Sequence, residues 1–291
     1  METAKTTVAT CDRYRHRRAV DRLARGACLL ATAVAVLPLA SVLVYVSGKG
    51  LPALSWSFFT ATPLPVGEPG GGMGNALLGS LILIGIAASI GVPCGIMAGI
   101  YLAELGGDSR TGRVVRFAAD VLAGTPSITI GIFVYAFVVI WMRRFSAIAG
   151  GLALAILMLP TVTRTAEEML RLVPGSLREA GLALGVPKWR VIISIVLKTG
   201  APGIATGVVL AIARAAGETA PLLFTSLNNR FWSTALDKPI ASMPVQIYTY
   251  AISPYADWHS QAWAAALVLV VLVLTLNVVA RALVHWRGGT R

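Results

Sequence analysis

Six long apolar runs constrain this chain more than any other feature of its sequence. A helix needs roughly 20 mainly apolar residues to cross the hydrocarbon core of a bilayer. Only 13% of the residues are charged, whereas soluble domains average about 25%. The sequence therefore predicts an all-α, polytopic membrane protein with six transmembrane helices. The predicted spans are Gly26–Ser47, Ala76–Ile100, Phe117–Trp141, Ala147–Thr163, Ala201–Phe224 and Ala262–Ala280.

The distribution of Lys and Arg predicts the orientation of these spans. Cytoplasmic loops of membrane proteins carry an excess of basic residues. If both termini are cytoplasmic, most of the 25 basic residues fall inside, from the N-terminal tail to Arg291. Arg214 lies within a span, and the outer segments hold Lys49, Arg143, Arg144, Arg230 and Lys238. We therefore expect both termini to be cytoplasmic.

The N-terminal region predicts an accessory element ahead of a core. The first apolar run is longer than the ~7–15 residues of a signal-peptide core and has no clear cleavage site after it, so we expect it to be retained. Residues 1–25 would form a basic tail, and residues 26–70 the accessory first span with its outer loop. A glycine-rich segment, 67–74, then leads to a five-helix core, 71–291.

Several function classes are disfavoured. The net charge of +12 is explained by topology, because the basic residues form no patch of the kind that binds nucleic acid. Cys11, Cys28 and Cys94 are far apart, so we expect neither disulfides nor a metal site. We see no catalytic constellation and expect no cofactor. The chain has no G-x-x-x-x-G-K-[ST] motif, so any ATP hydrolysis would belong to another subunit.

Small residues and prolines indicate how the spans pack. Gly91, Gly95 and Gly99 recur every fourth residue, so they line one helix face where another backbone can approach closely. Pro93, Pro126 and Pro160 predict kinks within spans.

The polar stretch between the fourth and fifth spans, about 164–198, is too charged to cross a membrane. It predicts short helices with a tight bend at Gly185, a natural left-handed helix stop. An apolar face would include Leu182, Leu184, Val186 and Trp189. Periodicity alone leaves two readings open: a hairpin on the membrane surface or a docking element for a partner protein.

Two charged residues stand within the fifth predicted span. Arg214 and Glu218 are four residues apart, so a helix would place them on one face. Charged residues at membrane depth face a partner or a polar cavity. They could lock two helices together as a pair, or Arg214 could meet a passing anion. The planar guanidinium suits an oxyanion because it donates two parallel hydrogen bonds; Thr219 could add a hydroxyl.

The polar stretch also resembles the EAA loop of ABC-importer permeases. The similarity rests on Glu179-Ala-Gly, Gly185 and Ile195-x-Leu197. The family has alanine where this chain has Gly181 and proline where it has Lys198. The resemblance implies a coupling helix that docks into a cleft of an ATPase subunit. Its docking residues would be Glu179, Ala180, Gly181, Leu184, Gly185, Val186 and Trp189.

A narrower resemblance, to PstA-type permeases of phosphate importers, covers most of the chain after Gly71. It rests on Gly203–Thr225 with its Arg-Ala-Ala-Gly-Glu-Thr-Ala-Pro run, on Met243–Tyr250, and on Leu122–Ile128. It implies the type I ABC importer permease (MetI-like) fold and a phosphate pathway lined by Arg214, Glu218 and Thr219. It also implies a PstB-type ATPase dimer, a second, PstC-type permease and a PstS-type binding protein. The resemblance places the chain in the plasma (inner) membrane of a bacterium. Import of another oxyanion, such as sulfate or molybdate, and an anion channel are the alternatives.

Overall fold

A computed structural model describes residues 2–65, 68, 70–107 and 109–288. The expectations for Gly67 in the glycine-rich segment and for Arg291 therefore lie outside the described residues. The chain divides into two compact units, 1–49 and 50–291. Helix α1, Glu2–Gly50, accounts for the first unit and ends at the first residue of the second. Every other regular element described in the second unit is also helical.

The second unit begins with a short 3-10 turn and helix α2, followed by the long helices of the core. A π-helical turn, Tyr101–Leu105, extends α3; a second one, Tyr135–Val139, joins α5 to α6; a third, Ile192–Val196, joins α9 to α10. The helices are α2 Trp56–Thr60, α3 Gly74–Ile100, α4 Arg110–Gly124, α5 Ser127–Val134, α6 Ile140–Met142, α7 Ala147–Arg171, α8 Gly175–Ala183, α9 Lys188–Val191, α10 Leu197–Ala216, α11 Ala220–Thr225, α12 Met243–Ala251 and α13 Ala256–Gly288.

Within the described residues, five helices are long and apolar enough to cross a membrane, and a bent pair makes a sixth candidate. The bent pair is Arg110–Gly124 with Ser127–Met142, which meet at 105°. The expected all-α fold with six spans is thus confirmed, with the third span broken. The five are His16–Ala53, Gly74–Leu105, Ala147–Arg171, Lys188–Ala216 and Ala256–Val279.

The third span is therefore not the continuous helix that Phe117–Trp141 predicted. Proline disfavours helical geometry in the residue before it, and Thr125 is extended, with φ −75° and ψ 131°. Pro126 is also extended, so the chain changes direction before α5 begins. By contrast, Pro93 and Pro160 lie inside α3 and α7, which the structure assigns as single helices.

Helix α7 is the most buried of the five spanning helices, because 67% of its apolar stretch is buried. Gly91, Gly95 and Gly99 of α3 face it, as their spacing predicted. A Cβ on Gly95 would come within 2.8 Å of Val162, and one on Gly99 within 2.5 Å of the Ala166 Cβ. The glycines therefore allow two backbones to approach more closely than larger side chains would permit.

The ends of the predicted polar loop are extensions of the flanking spans. Helix α7 continues from Ala147 to Arg171, well past the predicted end at Thr163. The fifth span begins at Lys188 and ends at Ala216, not at Phe224, because Gly217 and the following residues leave the helix. The part between these two helices is α8 and the tight turn after it, which together form the site described next.

Candidate functional site

The bend after α8 is a left-handed helix stop. Gly185 has φ +77°, a conformation that costs glycine little and other residues much more. Its N–H donates to the Leu182 carbonyl at 2.9 Å, and the Val186 N–H donates to the Gly181 carbonyl at 3.2 Å. This pair of bonds is the Schellman motif. The bend predicted at Gly185 is therefore confirmed, and it joins α8 to α9.

Most of the predicted docking residues lie on an exposed face of this turn. Leu184 is 84% exposed and Trp189 59% exposed, and Glu179, Ala180 and Gly185 are also exposed. Large apolar side chains at such exposure indicate an interaction surface. We call this surface the α8–α9 face; its residues are Glu179, Ala180, Leu182, Leu184, Gly185 and Trp189.

Two of the predicted docking residues face inward instead. Gly181 is buried, and Val186 is half-buried against an apolar cluster that includes Val191 and Val196. A Cβ on Gly181 would approach the Ile195 Cδ1 to 2.9 Å and a Val191 methyl to 3.0 Å. Glycine in place of the family's alanine therefore lets α8 pack closely against the start of the fifth span.

An ion pair that the sequence did not predict anchors the base of α8. The Arg178 Nη2 donates to Glu104 Oε1 at 2.6 Å, and its Nε donates to the same oxygen at 3.0 Å. The guanidinium also donates to the carbonyls of Leu170, at 2.7 Å, and Val173, at 2.5 Å. Glu104 is 6% exposed. We call this arrangement the Arg178–Glu104 clamp.

A second buried carboxylate was also missed. Glu167 of α7 is only 4% exposed, and it accepts from the Arg116 Nε at 2.7 Å and pairs with Arg171 at 2.8 Å. Arg164 pairs with both Glu167 and Asp120. These bonds tie the amphipathic α4 to α7 beside the break in the third span. The sequence indicated these ion pairs only weakly: Glu104 and Glu167 each lie at the end of an apolar run, with several arginines nearby.

The charged residues of the fifth predicted span lie where its helix ends. Arg214 belongs to the last turn of α10, and Glu218 and Thr219 form the connection to α11. The Arg214 Nε lies 3.8 Å from Glu218 Oε1, which is too long for a hydrogen bond. The side chain of Arg214 is 54% exposed and that of Glu218 17% exposed. The structure thus places Arg214 near Glu218 as a loose pair, and Thr219 follows Glu218 directly before α11.

The connection is held in place by close packing of α11 against α5. A Cβ on Gly131 of α5 would approach the Pro221 Cα to 2.6 Å. Helix α5 follows the break at Thr125 and Pro126, and α11 follows the end of α10 at Ala216. The helices that come after these two breaks therefore pack against each other. The segment that carries Glu218 and Thr219 is consequently anchored on one side.

Comparison with known proteins assigns the chain to a family. The family model for binding-protein-dependent transport system inner membrane components matches residues 91–287. The phosphate transport system permease protein PstA of Yersinia pestis is 55% identical over 80% of this chain and 79% of its own. The chain belongs to the PstA family of phosphate transport permeases. The Haemophilus influenzae relative of the same name is 46% identical over 92% of this chain and 95% of its own.

Solved structures support the predicted fold. Inward-facing structures of the MetNI methionine ABC transporter include a chain with a TM-score of 0.61 and 17% identity, covering 75% of this chain and 98% of that one. An amino acid ABC transporter chain gives a TM-score of 0.54 at 16% identity, over 73% and 92% of the two chains. The permease therefore has the type I ABC importer (MetI-like) fold. Such a permease works with ATPase and other subunits.

Proposed function

We propose that this chain is the membrane subunit through which an ATP-driven importer moves inorganic phosphate. The observation that carries the proposal is the 55% identity, over four fifths of the chain, to a phosphate transport permease. The chain would form half of the translocation pathway, with a PstC-type permease as the other half. A PstS-type binding protein would deliver the anion, and both termini would be cytoplasmic.

Arg214 is the residue proposed to meet the anion, with Glu218 and Thr219 beside it. The support is geometric: the guanidinium is more than half exposed and sits 3.8 Å from its partner carboxylate, so its donors are available. An arginine fork matches the oxygens of phosphate. Glu218 keeps the charge of the empty site low, and it repels a bare anion. Binding is consequently weak and transient, as a pathway requires, with high affinity left to the binding protein.

The α8–α9 face is proposed to dock on a PstB-type ATPase dimer. Its exposed Leu184 and Trp189 surround a rigid turn, so the face presents an apolar surface of fixed shape. ATP hydrolysis belongs to that partner. Closure of the ATPase dimer would draw two such faces together and reopen the spans toward the binding protein. This is alternating access: the ATPase on one side and the binding protein on the other both shift the conformational equilibrium of the permease pair.

The test is anion uptake by the reconstituted complex of both permeases, ATPase and binding protein, with Arg214→Ala beside wild type. A charge-assisted hydrogen bond is worth about 1.5–3 kcal/mol, so we expect phosphate uptake to fall by about tenfold or more while the complex still assembles. Arg144→Ala is the matched control, because Arg144 is an exposed arginine paired with Asp237.

Sulfate and molybdate uptake are measured in the same vesicles. Uptake of one of these anions in place of phosphate would replace the proposed substrate. Full phosphate uptake by Arg214→Ala would show that the arginine is not part of the pathway. Anion currents in the absence of the ATPase would favour a channel.

A further inference from the structure

The Arg178–Glu104 clamp joins three segments that are far apart in sequence. Arg178 belongs to the first turns of α8, Glu104 to the π-helical turn that ends α3, and the carbonyls of Leu170 and Val173 to the end of α7 and the residues just after it. All three guanidinium nitrogens donate within this group. The base of α8 is therefore fixed to α3 and α7 at once.

Burial makes this connection stiff. Glu104 is 6% exposed and Arg178 23% exposed, so a movement that separated them would strand a carboxylate away from water. Removing one partner of a buried ion pair leaves the other charge uncompensated, which is strongly destabilising. The geometry also restricts rotation, because Nε donates to both carboxylate oxygens, at 3.0 and 3.3 Å, while Nη2 donates to one of them. A displacement of α8 must then carry the end of α3 with it.

Helix α3 leads from the clamp to the opposite end of the bundle. It runs from Gly74 to the π-helical turn that contains Glu104, and it lies against α7 through its glycine face. At its far end, the Asn75 Nδ2 donates to the Asn229 carbonyl at 2.7 Å, and the Ser80 Oγ accepts from the Met243 N–H at 2.8 Å. Through its π-helical extension α3 thus contacts α8 at one end, and at the other it contacts the segment from Asn229 to the start of α12.

The second connection of α8 is of a different kind. Gly181 packs against Val191 and Ile195 at the start of the fifth span, and these contacts are apolar and non-directional. Such contacts resist separation but allow sliding more readily than a forked ion pair does. The clamp is therefore the directional side-chain link from α8 to the ends of α3 and α7.

We propose that Arg178 and Glu104 are positioning residues of the transport cycle, which transmit movement of the docked α8 through α3 to the segment at its far end. The proposal rests on the docking of the α8–α9 face put forward above. Neither residue touches the transported anion or ATP. Their contribution is to keep uptake tied to each round of ATP hydrolysis.

The test compares Glu104→Gln with wild type in vesicles that contain the complete complex. Phosphate uptake and ATP hydrolysis are measured together, and the readout is the number of anions taken up per ATP. Glutamine keeps the shape of the side chain and removes its charge. We expect uptake per ATP to fall by about fivefold or more, with ATP hydrolysis retained. Glu104→Asp keeps the charge and should recover part of the ratio.

Asp237→Asn is the matched control, since it removes the carboxylate from the exposed Arg144–Asp237 pair, remote in sequence from α8. If Glu104→Gln fails to assemble, Arg178→Lys replaces it, because lysine keeps the cation and loses the fork. An unchanged ratio in the variant used, or uptake and hydrolysis that fall in parallel with the amount of complex, would overturn the proposal. If wild type imports sulfate or molybdate instead of phosphate, the proposed substrate is wrong, and the ratio is read with that anion.

Discussion

Two of the Arg–Glu pairs among the described residues, Arg178–Glu104 and Arg214–Glu218, have opposite construction. In the Arg178–Glu104 clamp the two side chains approach to 2.6 Å, and the side chain of Glu104 is 6% exposed. In the Arg214–Glu218 pair the contact is 3.8 Å and the arginine is 54% exposed. The guanidinium of Arg178 donates its hydrogen bonds to groups of the protein itself. The guanidinium of Arg214 lies too far from Glu218 to donate to it, so its donors are available to an anion. The same two residue types therefore serve rigid positioning in one place and a transient anion contact in the other.

Removal of the clamp arginine should have the largest effect on stability. Arg178→Ala leaves Glu104 buried without its cation, which costs about 3–5 kcal/mol. We expect a marked fall in the thermal midpoint of the purified permease and poor recovery of ATPase in pull-downs. The comparison with Arg214→Ala is direct, because that variant should lose uptake without a comparable loss of stability. Equal midpoints for the two variants would contradict the distinction.

The close apolar packing of α8 against the fifth span can be tested by adding one methyl group at Gly181. Gly181→Ala places a Cβ 2.9 Å from the Ile195 Cδ1, and overpacking typically costs about 1–3 kcal/mol. We expect an intermediate loss of thermal stability. Gly175→Ala is the control, because Gly175 is the first residue of α8 and has open space where the Cβ would lie. A stability change no larger than that of the control would show that Val191 and Ile195 can give way.

The loose pair should contribute least to stability. Glu218→Gln removes a charge that lies 3.8 Å from a half-exposed guanidinium, and such pairs are worth about 0–1 kcal/mol. We expect an almost unchanged thermal midpoint together with an altered uptake rate. A loss of stability as large as that of Arg178→Ala would mean that the pair locks the end of α10 in place.

The architecture was largely predictable from the sequence, and the broken helices were not. The apolar lengths predicted six spans, and the spacing of Gly91, Gly95 and Gly99 predicted close packing that the structure confirms. Pro126 predicted a kink, yet the 105° bend also depends on α4 being held against α7. The pair of Arg116 and Glu167 that holds it joins residues distant in sequence, which periodicity cannot pair.

The candidate sites divide in the same way. Gly185 and the exposed Leu184 and Trp189 followed from local turn chemistry and amphipathic spacing. Arg178 was predicted only as one of many cytoplasmic basic residues, because several arginines were equally available to Glu104. The looseness of Arg214 and Glu218 was also hidden, since residues four apart would face each other in a continuous helix, and the helix ends at Ala216.

The sequence by itself determined that the chain crosses a membrane, how many spans it has, where α8 turns and which family it belongs to. These properties depend on apolar length, glycine geometry and motif identity, and all of them are local. Only the tertiary structure decided which arginine is tightly held, Arg178, and which is loosely paired, Arg214. Charge pairing depends on distance and burial in three dimensions, and the sequence records neither.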